Sequence, residues 1–72
     1  MEREYVDSSN LASVGFDNEQ SILEVEFKKD GAIWQYYDVE DSVYYELMAA
    51  DSIGSYFYHN IRVRGYQAVR IN

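Results

Sequence analysis

Residues 23–27 read Leu-Glu-Val-Glu-Phe, residues 29–31 read Lys-Asp-Gly, and residues 32–37 read Ala-Ile-Trp-Gln-Tyr-Tyr. The first run alternates strictly between apolar and acidic residues, which is the period of a strand with one buried face and one wet face. The Asp-Gly pair supplies the positive φ angle that a tight hairpin turn needs. The third run is rich in β-branched and aromatic residues, so it is predicted to pair back on the first as an antiparallel strand.

Further strands are predicted on either side of this hairpin. Residues 11–16 form a weaker strand that ends in the turn-like sequence of residues 17–20. With the hairpin it makes an antiparallel three-stranded meander. Residues 66–71 are predicted to form a short C-terminal strand that joins the same sheet.

Two helices are predicted between the meander and the last strand. Asp38 is expected to cap the first helix, with Glu40 and Asp41 in its first turn, where carboxylates complement the helix dipole. Asp51-Ser52 offers a second cap. The residues that follow it at helical spacing form one apolar stripe: Ile53, Phe57 and Ile61. The predicted fold is therefore an α+β domain of order βββααβ, with both helices on one face of the sheet.

The composition is that of one small domain. We assign this domain to residues 8–72, behind a short N-terminal lead at residues 1–7. The chain has no cysteine, so neither a disulfide nor a thiolate metal site is expected to stabilise it. It has eight Tyr, three Phe and one Trp, so aromatic rings are expected to supply much of the buried surface.

Acidic and basic residues are segregated along the chain. All thirteen Asp and Glu lie within the first 51 residues, together with three basic residues, whereas residues 52–72 contain three arginines and no acid. The net charge of -7 argues against unselective binding to nucleic acid or to an anionic membrane. No apolar stretch approaches the ~20 residues of a membrane span, and the charged N-terminus lacks the apolar run of a signal peptide. We therefore expect a cytoplasmic protein with no membrane partner.

A series of short motifs resembles a known family. In order along the chain they are Ser8-Ser9-Asn10-Leu11, Gly15-Phe16-Asp17, Val39, Val43-Tyr44, Ala50, Ser52, Gly54, Tyr56-Phe57, Ile61-Arg62 and Tyr66. This order and spacing is similar to the KTSC domain, which is named for its occurrence at the C-terminus of some lysyl-tRNA synthetases. The resemblance extends over residues 6–71. Two positions depart from the family pattern, because Glu40 stands where a proline is usual and Tyr58 stands where an asparagine is frequent.

The resemblance implies little about activity. The family has no established activity, and its attachment to a tRNA synthetase implies a link to RNA. KTSC domains also occur as small stand-alone bacterial and phage proteins, which is the format of this chain.

The C-terminal segment contains the first candidate binding surface. Its candidate residues are Tyr56, Tyr58, Arg62, Arg64, Tyr66 and Arg70. Bases could stack on the tyrosine rings while the guanidinium groups contact phosphates. The alternative interpretation is that Arg62 and Arg70 pair with the acidic first half and stabilise the fold.

Three further sites are weaker candidates. Ser52 and Gly54, at the start of the second helix, are a candidate anion-binding site because a helix N-terminus leaves N–H groups free. The alternative is ordinary capping by Ser52 and close packing at Gly54. The hydroxyl groups of Ser8-Ser9 are expected to satisfy backbone groups at the entry to the first strand. His59, the single histidine, is expected at the surface or rim of the second helix.

The polar and aromatic residues of the hairpin are interpreted as structural. Glu24 and Glu26 are expected on the solvated face of the sheet, where charge discourages edge pairing. Trp34 and Tyr36 are expected in the core or on the sheet surface, without forming a ligand site.

The sequence predicts a non-catalytic binding module without a cofactor or a metal ion. No nucleophile has an identifiable base, and no histidine or cysteine set has metal-ligand spacing. The first functional hypothesis is a protein-interaction or accessory domain that contacts an unknown protein through exposed tyrosines, since Tyr and Arg are favoured at interface centres. The alternative is single-stranded RNA binding through the C-terminal Arg/Tyr segment.

Overall fold

A computed structural model describes all 72 residues of the chain. The elements are β1 (Glu4–Tyr5), β2 (Leu11–Asp17), β3 (Ile22–Phe27), β4 (Ile33–Tyr36), α1 (Asp41–Ala49), α2 (Ile53–Asn60), a 3-10 turn (Arg62–Arg64) and β5 (Ala68–Arg70). The predicted α+β class, the hairpin, both helices and the last strand are confirmed. No helix is long and apolar enough to cross a membrane.

The sheet has five antiparallel strands in the order β1-β2-β3-β4-β5. The prediction of three strands before the helices is therefore wrong, because four strands precede them. The missed strand, β1, lies in the segment predicted as a lead and pairs Glu4 with Val14 and Tyr5 with Ser13. A segment of two residues is too short to show an alternation of apolar and polar side chains. Only its pairing with β2 therefore identifies it as a strand.

The predicted hairpin is present, with its two strands antiparallel. Leu23 lies opposite Tyr36, and Val25 lies opposite Trp34. Gly31 takes a φ of 70°, the left-handed conformation that a residue without Cβ adopts readily. Alternation along β3 and β4 therefore places these apolar side chains on one face of the sheet, which the helices partly cover.

The core lies between this face and the two helices. Leu47 of α1 and Phe57 of α2 are buried against strand side chains. The Phe57 ring makes edge-on contacts with Phe27 and Tyr36, each with ring centroids 5.6 Å apart. Edge-to-face rings of this kind add favourable electrostatics to the burial of apolar area.

The first helix starts later than predicted. Asp38 does not cap it, because Asp38 takes a left-handed φ of 58° and turns the chain out of β4. That turn brings Val39 into the core, where its N–H donates to the Ser21 carbonyl at 3.0 Å. Glu40 becomes the N-cap without a side-chain hydrogen bond. The second cap is confirmed, since the Ser52 hydroxyl accepts the Ser55 N–H at 3.2 Å.

Candidate functional site

A groove of about 560 Å³ lies between the helix-covered face of the sheet and α2. Six rings line it: Phe27, Trp34, Tyr36, Phe57, Tyr58 and Tyr66. Tyr36 and Phe57 are buried, whereas Tyr58 is 51% exposed. The other three rings are half-buried. We call this feature the aromatic groove, and its half-buried and exposed rings present apolar surface to solvent.

The fold assembles the aromatic groove from distant parts of the chain. Trp34 and Tyr36 face it because they are two residues apart on β4. The 3-10 turn after α2 returns the chain toward the sheet, and Gly65 continues this path with a φ of 86°. This path places Arg62 and Tyr66 at the groove.

The arginines of the C-terminal segment form no ion pair. The chain has one salt bridge, between Arg3 and Glu24, so the interpretation that Arg62 and Arg70 pair with the acidic half is wrong. Arg62 is exposed and lines the aromatic groove. Arg70 lies opposite Trp34 in the sheet, and its Nε donates to Asn72 Oδ1 at 3.3 Å. These guanidinium groups are therefore free to meet an external anion.

Charge at the groove acts on one of its tyrosines. Burial raises the pKa of the Tyr36 phenol, and the positive charge of Arg62 partly opposes that rise. Lys29 lies at the same rim. Asp30 is the one acid among the lining residues, and its carboxylate accepts the Ala32 N–H at 3.0 Å within the turn.

The six predicted binding residues divide into two groups of three, and the group outside the lining of the aromatic groove is Tyr56, Arg64 and Arg70. Tyr58, Arg62 and Tyr66 line the aromatic groove. Tyr56 instead joins the two helices, because its hydroxyl donates to Glu46 Oε1 at 3.2 Å. Burial raises the pKa of Tyr56, the hydrogen bond and the charge of Glu46 raise it further, and Arg64 opposes the rise.

Sequence reasoning missed most of the residues that line the groove, among them Phe27, Trp34 and Lys29. The available signal was the alternation of Trp34 and Tyr36, which places two large rings on one strand face. That pattern was interpreted as core or sheet surface. Local alternation does not report how far a side chain is covered by the rest of the fold, and Trp34 is half-buried.

The start of α2 forms a polar hollow with the segment before β2. A Cβ at Gly54 would overlap Asn10 Oδ1, so the absence of a side chain lets the two segments pack closely. The Ser8 hydroxyl donates to Asn10 Oδ1 at 2.9 Å and accepts the Leu11 N–H at 3.3 Å. Asp7, Asp51 and the exposed His59 also line the hollow. Anion binding at Ser52 and Gly54 stays a prediction.

The face of the sheet without helices carries a polar network. The Glu24 side chain is only 6% exposed, so its prediction as a solvated residue is wrong. It pairs with Arg3 and accepts a hydrogen bond from Gln35 Nε2 at 2.9 Å. The Ser13 hydroxyl accepts from Arg3 Nε at 2.9 Å and donates to Glu26 Oε1 at 2.8 Å. These mutual partners make the network a structural one that fastens β1 to β2 and β3.

Comparison with known proteins agrees with this architecture. Residues 7–66 match the KTSC domain, and the chain belongs to the KTSC domain family. It is 42% identical to an uncharacterised protein of Stutzerimonas stutzeri strain A1501 over 72 residues, which cover 100% of both chains. It is also similar to the crystal structure of a KTSC domain protein from Yersinia pestis, with a TM-score of 0.92 and 30% identity, covering 99% of this chain and 97% of that one.

Proposed function

We propose that this chain is a non-catalytic binding module and that the aromatic groove is its site for a protein partner. The observation that carries the proposal is the groove itself, where half-buried rings adjoin unpaired guanidinium groups. Trp, Tyr and Arg are the residues that dominate the energetic centres of protein interfaces. The sequence-based expectations of a cytoplasmic location and of no catalytic activity stay predictions.

The size of the groove indicates what kind of contact it can make. An aromatic side chain that enters it removes about 150–250 Å² from water, which contributes roughly 4–6 kcal/mol before any cost of association. That amount corresponds to a dissociation constant between about 1 mM and about 40 μM. Ordering the two partners opposes binding, so one inserted ring needs further contacts beside the groove.

Site-specific photo-cross-linking tests this proposal. A benzophenone amino acid placed at position 58 lies at the aromatic groove, and the same amino acid at position 45 is a matched control. Tyr58 and Tyr45 are both exposed helix tyrosines, at 51% and 61%, but Tyr45 lies outside the groove. We expect a protein adduct from position 58 in the cells that make this protein and none from position 45. The Tyr66→Ala substitution should reduce this adduct. Equal labelling at both positions, or none at position 58, would contradict the proposal.

Single-stranded RNA is a second candidate ligand, favoured by the three unpaired arginines and by rings on which bases can stack. The implied link of the family to lysyl-tRNA synthetases supports it, whereas the net charge of -7 opposes it at long range. Contacts between about three arginines and phosphates predict a slope of roughly -2 in a plot of log affinity against log salt concentration.

A matched pair of substitutions tests RNA binding. Arg64→Ala and Ser42→Glu each change the net charge by one negative unit, but Ser42 is an exposed residue of α1. For a short mixed-sequence RNA at low salt, we expect Arg64→Ala to weaken binding to all sequences alike and to reduce the salt slope. Ser42→Glu should have the smaller effect. An unperturbed NMR spectrum at millimolar RNA would remove this candidate.

A further inference from the structure

The outer edge of β5 is an unpaired sheet edge. Its one partner strand is β4. The Ile71 N–H donates to the Ile33 carbonyl at 2.9 Å, and the Gln67 carbonyl accepts the Tyr37 N–H at 2.9 Å. Since backbone groups alternate in direction along an antiparallel ladder, Ala68 and Arg70 direct their N–H and C=O groups away from the sheet. Such a row of free groups is a template for another strand.

This edge opens onto the aromatic groove. Ala68 lies opposite Tyr36 and lines the groove, so its side chain is on the helix-covered face. Arg70 lies opposite Trp34 on the same face. Ala68 is small, and it leaves the groove open toward β5. A strand added beside β5 would therefore direct alternate side chains toward the groove.

The charges around this edge select the occupant. Arg62 and Lys29 line the groove, Arg70 is on β5, and none of them is in an ion pair. The opposite edge, β1, carries the acid Glu4 and is only two residues long. The β5 side is thus complementary to an acidic chain. Free backbone donors alternating with acceptors match a peptide, whereas a phosphodiester backbone has no N–H donor to pair with them.

We propose that an extended acidic segment of a partner protein adds to β5 as a sixth strand and inserts one aromatic or branched apolar side chain into the aromatic groove. This inference rests on the proposed function and names the form of its ligand. Backbone hydrogen bonds to Ala68 and Arg70 supply the contacts that one inserted ring lacks.

A synthetic peptide provides the first test. The probe is a short acetylated peptide that alternates glutamate with valine and has one central phenylalanine, titrated into the isotope-labelled full chain. We expect the Ala68 and Arg70 amides to move downfield and to gain protection from hydrogen exchange. The Ile71 amide is already bonded to β4 and should change less. The Trp34 indole N–H signal should shift with the same dissociation constant as these amides. A peptide with lysine in place of glutamate should not bind.

Two substitutions at one position separate backbone pairing from charge. Arg70→Ala removes the guanidinium but keeps the outward N–H, whereas Arg70→Pro also removes that N–H and leaves the bonds to β4 in place. We expect Arg70→Pro to bind the peptide about tenfold more weakly than Arg70→Ala, the effect of losing one hydrogen bond. N-methylation of the peptide amide that faces β5 should produce the same loss with the protein unchanged, so the test does not depend on the folding of either variant.

The outcomes distinguish this inference from the proposed function. Groove shifts without changes at Ala68 and Arg70, together with equal binding by the two variants, would overturn strand addition and leave the groove as a protein site. Perturbation of these two amides by RNA but not by the peptide would overturn the inference as well. Failure of the peptide to bind at millimolar concentration, with a protein adduct still formed at position 58, would exclude an acidic strand as the ligand.

Discussion

Glu24 is a carboxylate that the fold buries on the face of the sheet that no helix covers. Burying a charge is costly unless it is paired and hydrogen-bonded. Arg3 supplies the opposite charge, and Gln35 supplies a further hydrogen bond. Arg3, which directly precedes β1, therefore gives the N-terminal segment an electrostatic role.

Removal of Arg3 should show how much this pair contributes. We expect Arg3→Ala to lower the free energy of unfolding by about 2 kcal/mol, because it leaves a buried carboxylate with only the Gln35 hydrogen bond. Urea unfolding measures this change. Adding Glu24→Gln should recover part of the loss, since a buried amide costs less than an unpaired carboxylate. The control is Lys28→Ala, which removes an exposed lysine that has no ion pair. Equal changes in the free energy of unfolding for Arg3→Ala and Lys28→Ala would contradict this account.

Gly54 is the residue where close packing opposes helix propensity. In a solvent-exposed helix, Gly→Ala stabilises by about 1 kcal/mol. Here the added Cβ would overlap Asn10 Oδ1, so Asn10 must move and lose its hydrogen bond from Ser8. We expect Gly54→Ala to destabilise the protein by about 1 kcal/mol as a result. In an Asn10→Ala background the same substitution should become stabilising. Thermal unfolding of the wild type, Gly54→Ala, Asn10→Ala and the double variant measures whether Gly54→Ala destabilises in the first background and stabilises in the second.

The two helices differ in how their N-termini are capped. Ser52 caps α2 with its hydroxyl, whereas Glu40 at the start of α1 makes no side-chain hydrogen bond although its backbone is extended as a cap requires. We expect Ser52→Ala to cost about 1 kcal/mol of unfolding free energy. Glu40→Asp keeps the charge and shortens the side chain to capping length, so it should stabilise by about 0.5 kcal/mol. Urea unfolding measures both changes, and a neutral or destabilising Glu40→Asp would show that α1 lacks a cap for another reason.

At the scale of the whole molecule, one buried tyrosine, Tyr36, and two half-buried ones, Tyr44 and Tyr56, couple stability to alkaline pH. Burial is the largest cause that raises the pKa of Tyr36, Tyr44 and Tyr56. The unfolded chain releases these protons near pH 10, but the folded chain still holds them. Their stabilising contribution is therefore present below about pH 10 and is lost as the pH rises from there through the folded-state pKa values.

This coupling is checked by measuring urea unfolding midpoints and tyrosinate absorbance from about pH 9 to about pH 11, a range that brackets the ordinary tyrosine pKa of about 10. We expect the midpoint to fall over this range. Tyr36→Phe keeps the ring and removes one of the three coupled groups, so its midpoint should fall less steeply. A midpoint that is independent of pH would contradict the coupling.

Local patterns in the sequence by themselves determined much of the architecture. The strict alternation at residues 23–27 and the Asp-Gly turn determined the hairpin, because a strand with one buried face needs a period of two. The apolar stripe of Ile53, Phe57 and Ile61 and the cap at Ser52 determined α2 in the same way. The order of short motifs indicated the KTSC family, which residues 7–66 match.

Only the tertiary structure decided which side chains meet. Strand β1 exists through its pairing with β2, since two residues have no period of their own. Glu24 is buried and paired with Arg3, although its place in the alternation is that of a solvated residue. The aromatic groove joins Phe27, Trp34 and Tyr66 from separate elements, and the arginines beside it stay unpaired. Local periodicity reports the face of an element, whereas burial and ion pairing depend on distances between residues far apart along the chain.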